Sequence, residues 1–98
     1  MEKLEFKFNN KENIKKFVHV GVVASGDLEI LVYTNEMESR VKIVTGSDGF
    51  KEIWMNVLTR FFERYSLQGT FIIHDFGATP GVVNLRLTQL MEVLKDEQ

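Results

Sequence analysis

Leu4, Phe6 and Phe8 alternate with Glu5 and Lys7, the period of two that a strand with one buried face imposes. A strand is expected over about residues 3–8. Asn9 to Lys16 is polar and rich in Asn and Lys, a composition that reads as a loop without a packing face. Phe17 to Val23 is short, aromatic and β-branched, which predicts a second strand. Ser25-Gly26-Asp27 interrupts the apolar pattern and Leu28 to Tyr33 resumes it, so the break closes a hairpin around a glycine free to take positive φ, with Ser25 at an exposed tip. A turn over Thr34 to Glu38 leads into a further strand around Val41 and Ile43, and these strands together predict a meander.

Between Gly46 and Gly49 the period changes. Phe50, Ile53, Trp54, Val57, Leu58, Phe61, Phe62 and Tyr65 recur at spacings of three and four, forming one apolar stripe on a helix over about residues 49–65, with Ser47 or Asp48 as its side-chain cap. Burial of each large side chain in such a stripe is worth about 1.5–3 kcal/mol, so the helix is expected to lie across the sheet. Gly69 to His74 reads as a final strand and Asp75 to Ala78 as a loop. Thr79-Pro80 then offers an N-cap and a favoured first helical residue, and Val83, Leu87, Leu90 and Leu94 keep helical spacing. Val83, Leu85 and Leu87 also alternate, which leaves open a strand leading into a shorter helix. The order of elements predicts an α+β fold, a mostly antiparallel sheet of about five strands with one or two helices on one face, in a single domain spanning residues 1–98.

Composition narrows the chemistry. Twelve Lys and Arg against 14 Asp and Glu give a net charge of −2, so no basic footprint for nucleic acid or anionic lipid exists. Cysteine is absent, which removes disulfides, thiolate nucleophiles and Cys-ligated metals. Uncharged apolar stretches such as Phe17 to Gly26 fall far short of the ~20 residues of a membrane helix. MEKLEFKFNN has no apolar signal core, and a cytoplasmic setting is expected. Asp27, Glu29, Glu36 and Glu38 outnumber Arg40 and Lys42, which predicts an acidic face near Ser25.

Ser25 lies between the small residues Ala24 and Gly26, where a bulky group could approach its hydroxyl, although Ser-Gly-Asp is also ordinary turn chemistry. His74-Asp75 with Ser25 would supply the residue types of a hydrolase triad. Adjacent strand residues face opposite ways, however, so Asp75 is poorly placed to orient the His74 ring, and no G-x-S-x-G elbow is present. His19 and His74 could hold a metal with Asp27 or Asp75, but no short ligand spacing supports it. The Phe76 to Gly81 stretch could cradle a phosphate at a helix N-terminus, yet it lacks the P-loop Lys.

Two runs, Ala24-Ser25-Gly26-Asp27-Leu28-Glu29 and His74-Asp75-Phe76-Gly77-Ala78-Thr79-Pro80-Gly81-Val82-Val83 followed by Leu85-Arg86-Leu87, resemble the acyl carrier (delta) subunit of malonate decarboxylase. The resemblance covers essentially the whole chain. The first run is shared in shorter form with the citrate lyase acyl carrier subunit, whereas the second disfavours that type; a non-catalytic scaffold is the other alternative. Ala24 stands where the family pattern has Gly.

The resemblance implies that Ser25 carries 2'-(5''-phosphoribosyl)-3'-dephospho-CoA through a phosphodiester, with Ala24, Gly26 and Asp27 as the supporting turn. His74, Asp75, Phe76 and Gly77 are possible partner contacts. The implied cycle exchanges acetyl for malonyl on the arm's thiol at a transferase subunit and decarboxylates malonyl at another subunit. The carrier itself is non-catalytic, and a separate transferase attaches the group. Without cysteine, the chain can hold an acyl thioester only on sulfur that a cofactor supplies. Weak, exchanging contacts through a small, polar, acidic surface around Ser25 are expected.

Overall fold

A computed structural model describes residues 1–97. The strands are β1 (Glu2–Phe8), β2 (Glu12–Asn13), β3 (Val18–Gly21), β4 (Leu28–Tyr33), β5 (Ser39–Thr45), β6 (Leu67–Gln68) and β7 (Thr70–Asp75). The helices are α1 (Lys51–Arg64) and α2 (Pro80–Glu97). Five strands form one sheet in the order β1-β5-β7-β4-β3. Period-two patterning fixes its register: Leu4, Ile43, Ile73, Ile30 and Val20 form one row of partners, and Phe6, Val41, Phe71, Val32 and Val18 the next. All ten are buried beneath α1, which contributes Trp54, Leu58, Phe61 and Phe62, and α2, which contributes Val83, Leu87, Leu90 and Leu94. The opposite sheet face has no helix over it among the described residues, and the α+β expectation of one helical layer on one sheet face holds.

The meander does not. β3 and β4 form the expected antiparallel hairpin, but β7 enters between β4 and β5. It pairs antiparallel with β4 and parallel with β5, so the sheet is mixed. Parallel neighbours need a crossover, and α1 supplies it between β5 and β7. The consecutive apolar residues Phe71-Ile72-Ile73 suit a central strand with neighbours on both edges. The turn at 34–38 steps over the start of β7, stabilised by the Asn35 carboxamide, which accepts the Met37 and Glu38 N–H groups and donates to the Thr70 hydroxyl.

Three local expectations also need correction. The segment 9–16 does pack: Ile14 is buried, and β2 pairs in parallel with β6. A single aliphatic residue set among polar ones carries no periodicity, so composition alone hid it. Helix α1 starts at Lys51 with Phe50 in the capping position and no side-chain cap, so neither Ser47 nor Asp48 serves. Its stripe is only partly covered, because Phe50 and Ile53 remain 45% and 50% exposed, beside an apolar groove of about 220 Å³ between the first turns of α1 and α2. The ambiguity over residues 80–88 resolves as helix. Thr79 caps it, its hydroxyl accepting the Val82 N–H at 3.4 Å.

Gly21 ends β3 at φ +87°, and a Cβ there would lie 2.1 Å from the Leu28 carbonyl oxygen. Gly26 has φ +79° but open space around it. Gly21→Ala therefore combines left-handed strain with a backbone collision, whereas Gly26→Ala meets the strain alone. Urea unfolding should show a loss of at least about 2 kcal/mol for Gly21→Ala and about 1 kcal/mol for Gly26→Ala; equal losses would contradict this assignment.

Candidate functional site

The connection from β3 to β4 spans residues 22–27. Within it Ala24 to Asp27 form a β-turn, closed by the Asp27 N–H donating to the Ala24 carbonyl at 3.1 Å. Positive φ is confined to its third residue, Gly26, the signature of a type II turn. Ser25 occupies the second position, is exposed, and its hydroxyl makes no hydrogen bond to the described residues. Ala24 is exposed too and has no positive φ, so its methyl is accommodated without strain.

The turn is held from behind by the second sequence run. β4 and β7 pair Leu28 with Asp75 and Glu29 with His74. Beyond the ladder, the Gly26 N–H donates to the Phe76 carbonyl at 2.7 Å and the Phe76 N–H to the Asp27 carbonyl at 2.9 Å. Asp75 sits on the buried face. One of its carboxylate oxygens accepts the Thr45 hydroxyl at 2.8 Å, and the other accepts the N–H groups of Gly77 and Ala78 at 3.2 and 2.9 Å. Those two N–H groups are thereby occupied by a carboxylate and are not available to an anion.

Asp27 and Glu29 are engaged as well. Arg86 of α2 donates to both carboxylate oxygens of Asp27, at 2.9 and 2.6 Å. Together with the Leu28 N–H, these hydrogen bonds hold the Asp27 carboxyl below the usual carboxylate range. Glu29 receives His74 Nδ1 at 2.7 Å and His19 Nε2 at 2.9 Å. Hydrogen bonds from His74 first and His19 second hold its carboxyl low also. The imidazoles share a carboxylate, and among the described residues no group of three such side chains could hold a metal. Asp75 does not orient His74; Glu29 does.

An acidic rim around Ser25 is therefore not what the chain presents. Its nearest carboxylates are engaged within the fold, Asp27 by Arg86, Glu29 by two imidazoles and Asp75 by the Thr45 hydroxyl and two backbone N–H groups, and the exposed large hydrophobic neighbours are Val22, Val23 at 65% and Phe76 at 39%. Beside the turn lies a groove of about 570 Å³ that Ser25 shares with Val23, Val44, His74 and Phe76. Of the predicted site residues, the structure brings Ala24, Ser25, Gly26 and Asp27 together with His74, Asp75, Phe76 and Gly77 across one strand pair. Arg86 joins the site without a role that its place in the sequence assigns. The signal was present, since it is the sole charged residue between Pro80 and Met91. Glu29 had been counted only as surface charge, because its partners depend on strand register.

The geometry defines a class of protein: a small α+β domain that displays one unengaged serine hydroxyl on a turn fixed from beneath. The family model described as malonate decarboxylase delta subunit (MdcD) matches residues 15–94, and the chain belongs to this family. It is 45% identical to the malonate decarboxylase acyl carrier protein of Xanthomonas campestris pv. campestris, over 97% of this chain and 96% of that one. The protein of the same name from Acinetobacter calcoaceticus is 39% identical, over 99% and 100% of the two chains. Among solved structures, a chain from the crystal structure of a Pseudomonas malonate decarboxylase hetero-tetramer in complex with malonate superposes with a TM-score of 0.88. It is 36% identical, with 96% of this chain and 99% of that one covered.

The carboxylate pairs predict an acid-side signature. Because the folded-state pKa values of Asp27 and Glu29 are depressed, their stabilisation is fully present above the unfolded carboxylate values near about 4 and is lost as pH falls through the folded values. Arg86→Ala removes the largest cause of the Asp27 depression. Urea midpoints measured from pH 7 down to pH 2.5 should fall less steeply in the variant than in the wild type. Parallel curves would show that the pair does not couple to folding.

Proposed function

We propose that residues 1–98 act as one acyl carrier domain, the non-catalytic carrier subunit of malonate decarboxylase, with Ser25 as the attachment point of a phosphoribosyl-dephospho-CoA group. The observation that carries this reading is the exposed, unengaged Ser25 hydroxyl on a turn that is itself tied down by backbone hydrogen bonds on both sides of Gly26. The residues present fit such a group. Gly26 has nothing within 4 Å of where a side chain would start, so a phosphodiester at the adjacent hydroxyl meets no wall of protein there.

When bound, the group supplies a thiol on a long flexible arm, the sulfur that a chain without cysteine lacks. The chain's own part is to fix the base of that arm. Asp75 locks the 76–78 loop, the loop seats the turn, and Arg86 clamps Asp27 to α2. Tethering then presents the acyl group to a docked partner at high effective concentration. The partners implied are the transferase and decarboxylase subunits of the complex, together with the enzyme that attaches the group. An arm derived from coenzyme A accords with a cytoplasmic setting.

The apolar rim of Val22, Val23 and Phe76 suits contacts that form and break. So few exposed apolar side chains bury little area, which favours fast exchange over a permanent grip.

Intact mass spectrometry of the protein from its native host, grown on malonate, should find one added group of the mass of phosphoribosyl-dephospho-CoA less water. Ser25→Ala should abolish the addition completely while leaving circular dichroism and the urea midpoint unchanged within about 0.5 kcal/mol, as expected for an exposed site. Unmodified wild-type protein from such cells would overturn the reading.

A further inference from the structure

The exposed sheet face carries one polar constellation that fixing the turn does not require. Glu29 lies between His19 and His74 and accepts a hydrogen bond from each ring. A carboxylate only accepts, so His74 Nδ1 must carry the hydrogen it shares with Glu29. His74 Nε2 is left with no hydrogen bond to the described residues. Of the two rings, His74 alone lines the groove that contains Ser25. In the neutral ring Nε2 is an acceptor; once protonated it becomes a donor, on a positively charged ring that lines the groove.

We propose that His74, oriented by Glu29, is the anion-facing residue of the carrier site and donates from Nε2 to a non-bridging oxygen of the phosphodiester on Ser25. This rests on Ser25 being the attachment site. The ligand class follows from the surroundings. Apart from His74, the polar side chains of the groove are the Thr45 hydroxyl and Asp75 carboxylate, already bonded to each other on the buried face. Among the side chains that line the groove, an imidazole whose other nitrogen is braced by a carboxylate is the one able to take up positive charge and answer an anion next to the serine.

Other charged groups surround the ring. Glu29 on β4 faces the ring directly, and His19 on β3 shares the same carboxylate through its other oxygen. Lys3 on β1 lies in the same cross-strand row beyond Val44. Met1 lines the groove, and its amino group faces Asp48 at 3.7 Å. Against this fixed background, a phosphodiester anion adds a favourable partner to the imidazolium.

The test uses the modified full-length protein, with modification of Ser25 first established by intact mass. Its phosphodiester ³¹P resonance and the His74 ring resonances are followed from pH 5 to 8.5. The ³¹P shift should change with the same midpoint as His74. Attachment should raise the proton affinity of His74 by at least about three-fold relative to Ser25→Ala. In His74→Gln protein shown by intact mass to carry the group, the ³¹P titration should flatten, and in His19→Gln it should persist. A flat ³¹P trace in modified wild-type protein, or an unchanged one in His74→Gln, overturns the assignment of His74 and leaves the attachment reading intact. Absence of modification at Ser25 overturns both.

Discussion

The pairing of β4 with β7 is the constraint on which the rest depends. Its register sets Leu28 opposite Asp75 and Glu29 opposite His74, so two sequence runs some fifty residues apart meet at one end of the sheet. The same ladder extends past the strand ends as the two backbone bonds between Phe76 and residues 26 and 27. A shift of one residue would turn Asp75 toward solvent and His74 toward the core. The row of Leu4, Ile43, Ile73, Ile30 and Val20 prevents it, because the slip would expose the whole apolar set at once. The hydrophobic core thus specifies the position of a surface turn that contributes little to that core.

Electrostatics follow from the same placement. The 24–29 run contains two carboxylates close to a serine proposed to receive a negatively charged group, an arrangement that would repel it if both charges were free. Each is met within the fold, Asp27 by the paired nitrogens of Arg86 and Glu29 by two imidazoles. The Arg86 contact joins the turn to a helix that is anchored independently by Val83, Leu87, Leu90 and Leu94. Surface ion pairs between mobile side chains contribute little. Here a two-point guanidinium contact links two fixed elements, and its consequence is positional: it neutralises the foot of the turn and resists its rotation.

Much of this architecture is legible in the chain, and the parts that are not share a cause. Strands with strict alternation, such as Leu4-Glu5-Phe6-Lys7-Phe8, and the helix with spacings of three and four declare themselves because their periodicity comes from their own residues. The insertion of β7 between β4 and β5 depends on which strand edges meet, a long-range choice that local pattern does not encode. The same holds for Ile14, whose burial needs β6 beside it, and for Phe50 and Ile53, whose exposure depends on the groove left between the first turns of α1 and α2. At the site, Ser25 and its turn were readable from Ser-Gly-Asp chemistry and from the family resemblance. The acidic rim was misread because summing charge along a segment takes no account of a cation supplied from sixty residues away.

A carrier must reconcile a mobile cargo with a recognisable base. Mobility in the base itself would spread the arm's origin over several ångströms and oblige each partner to select one conformer before docking, lowering apparent affinity by the fraction of competent molecules. With Ser25 as the proposed attachment point, its turn avoids that cost. Its closing bond, the two bonds to Phe76 and the Asp27 clamp constrain the residues on either side, while the hydroxyl itself remains without an internal partner. Flexibility then resides wholly in whatever is attached, where it extends reach without blurring the surface a partner must recognise. The apolar neighbours Val22, Val23 and Phe76 flank the same turn, so the proposed recognition surface and the proposed origin of the tether share one support.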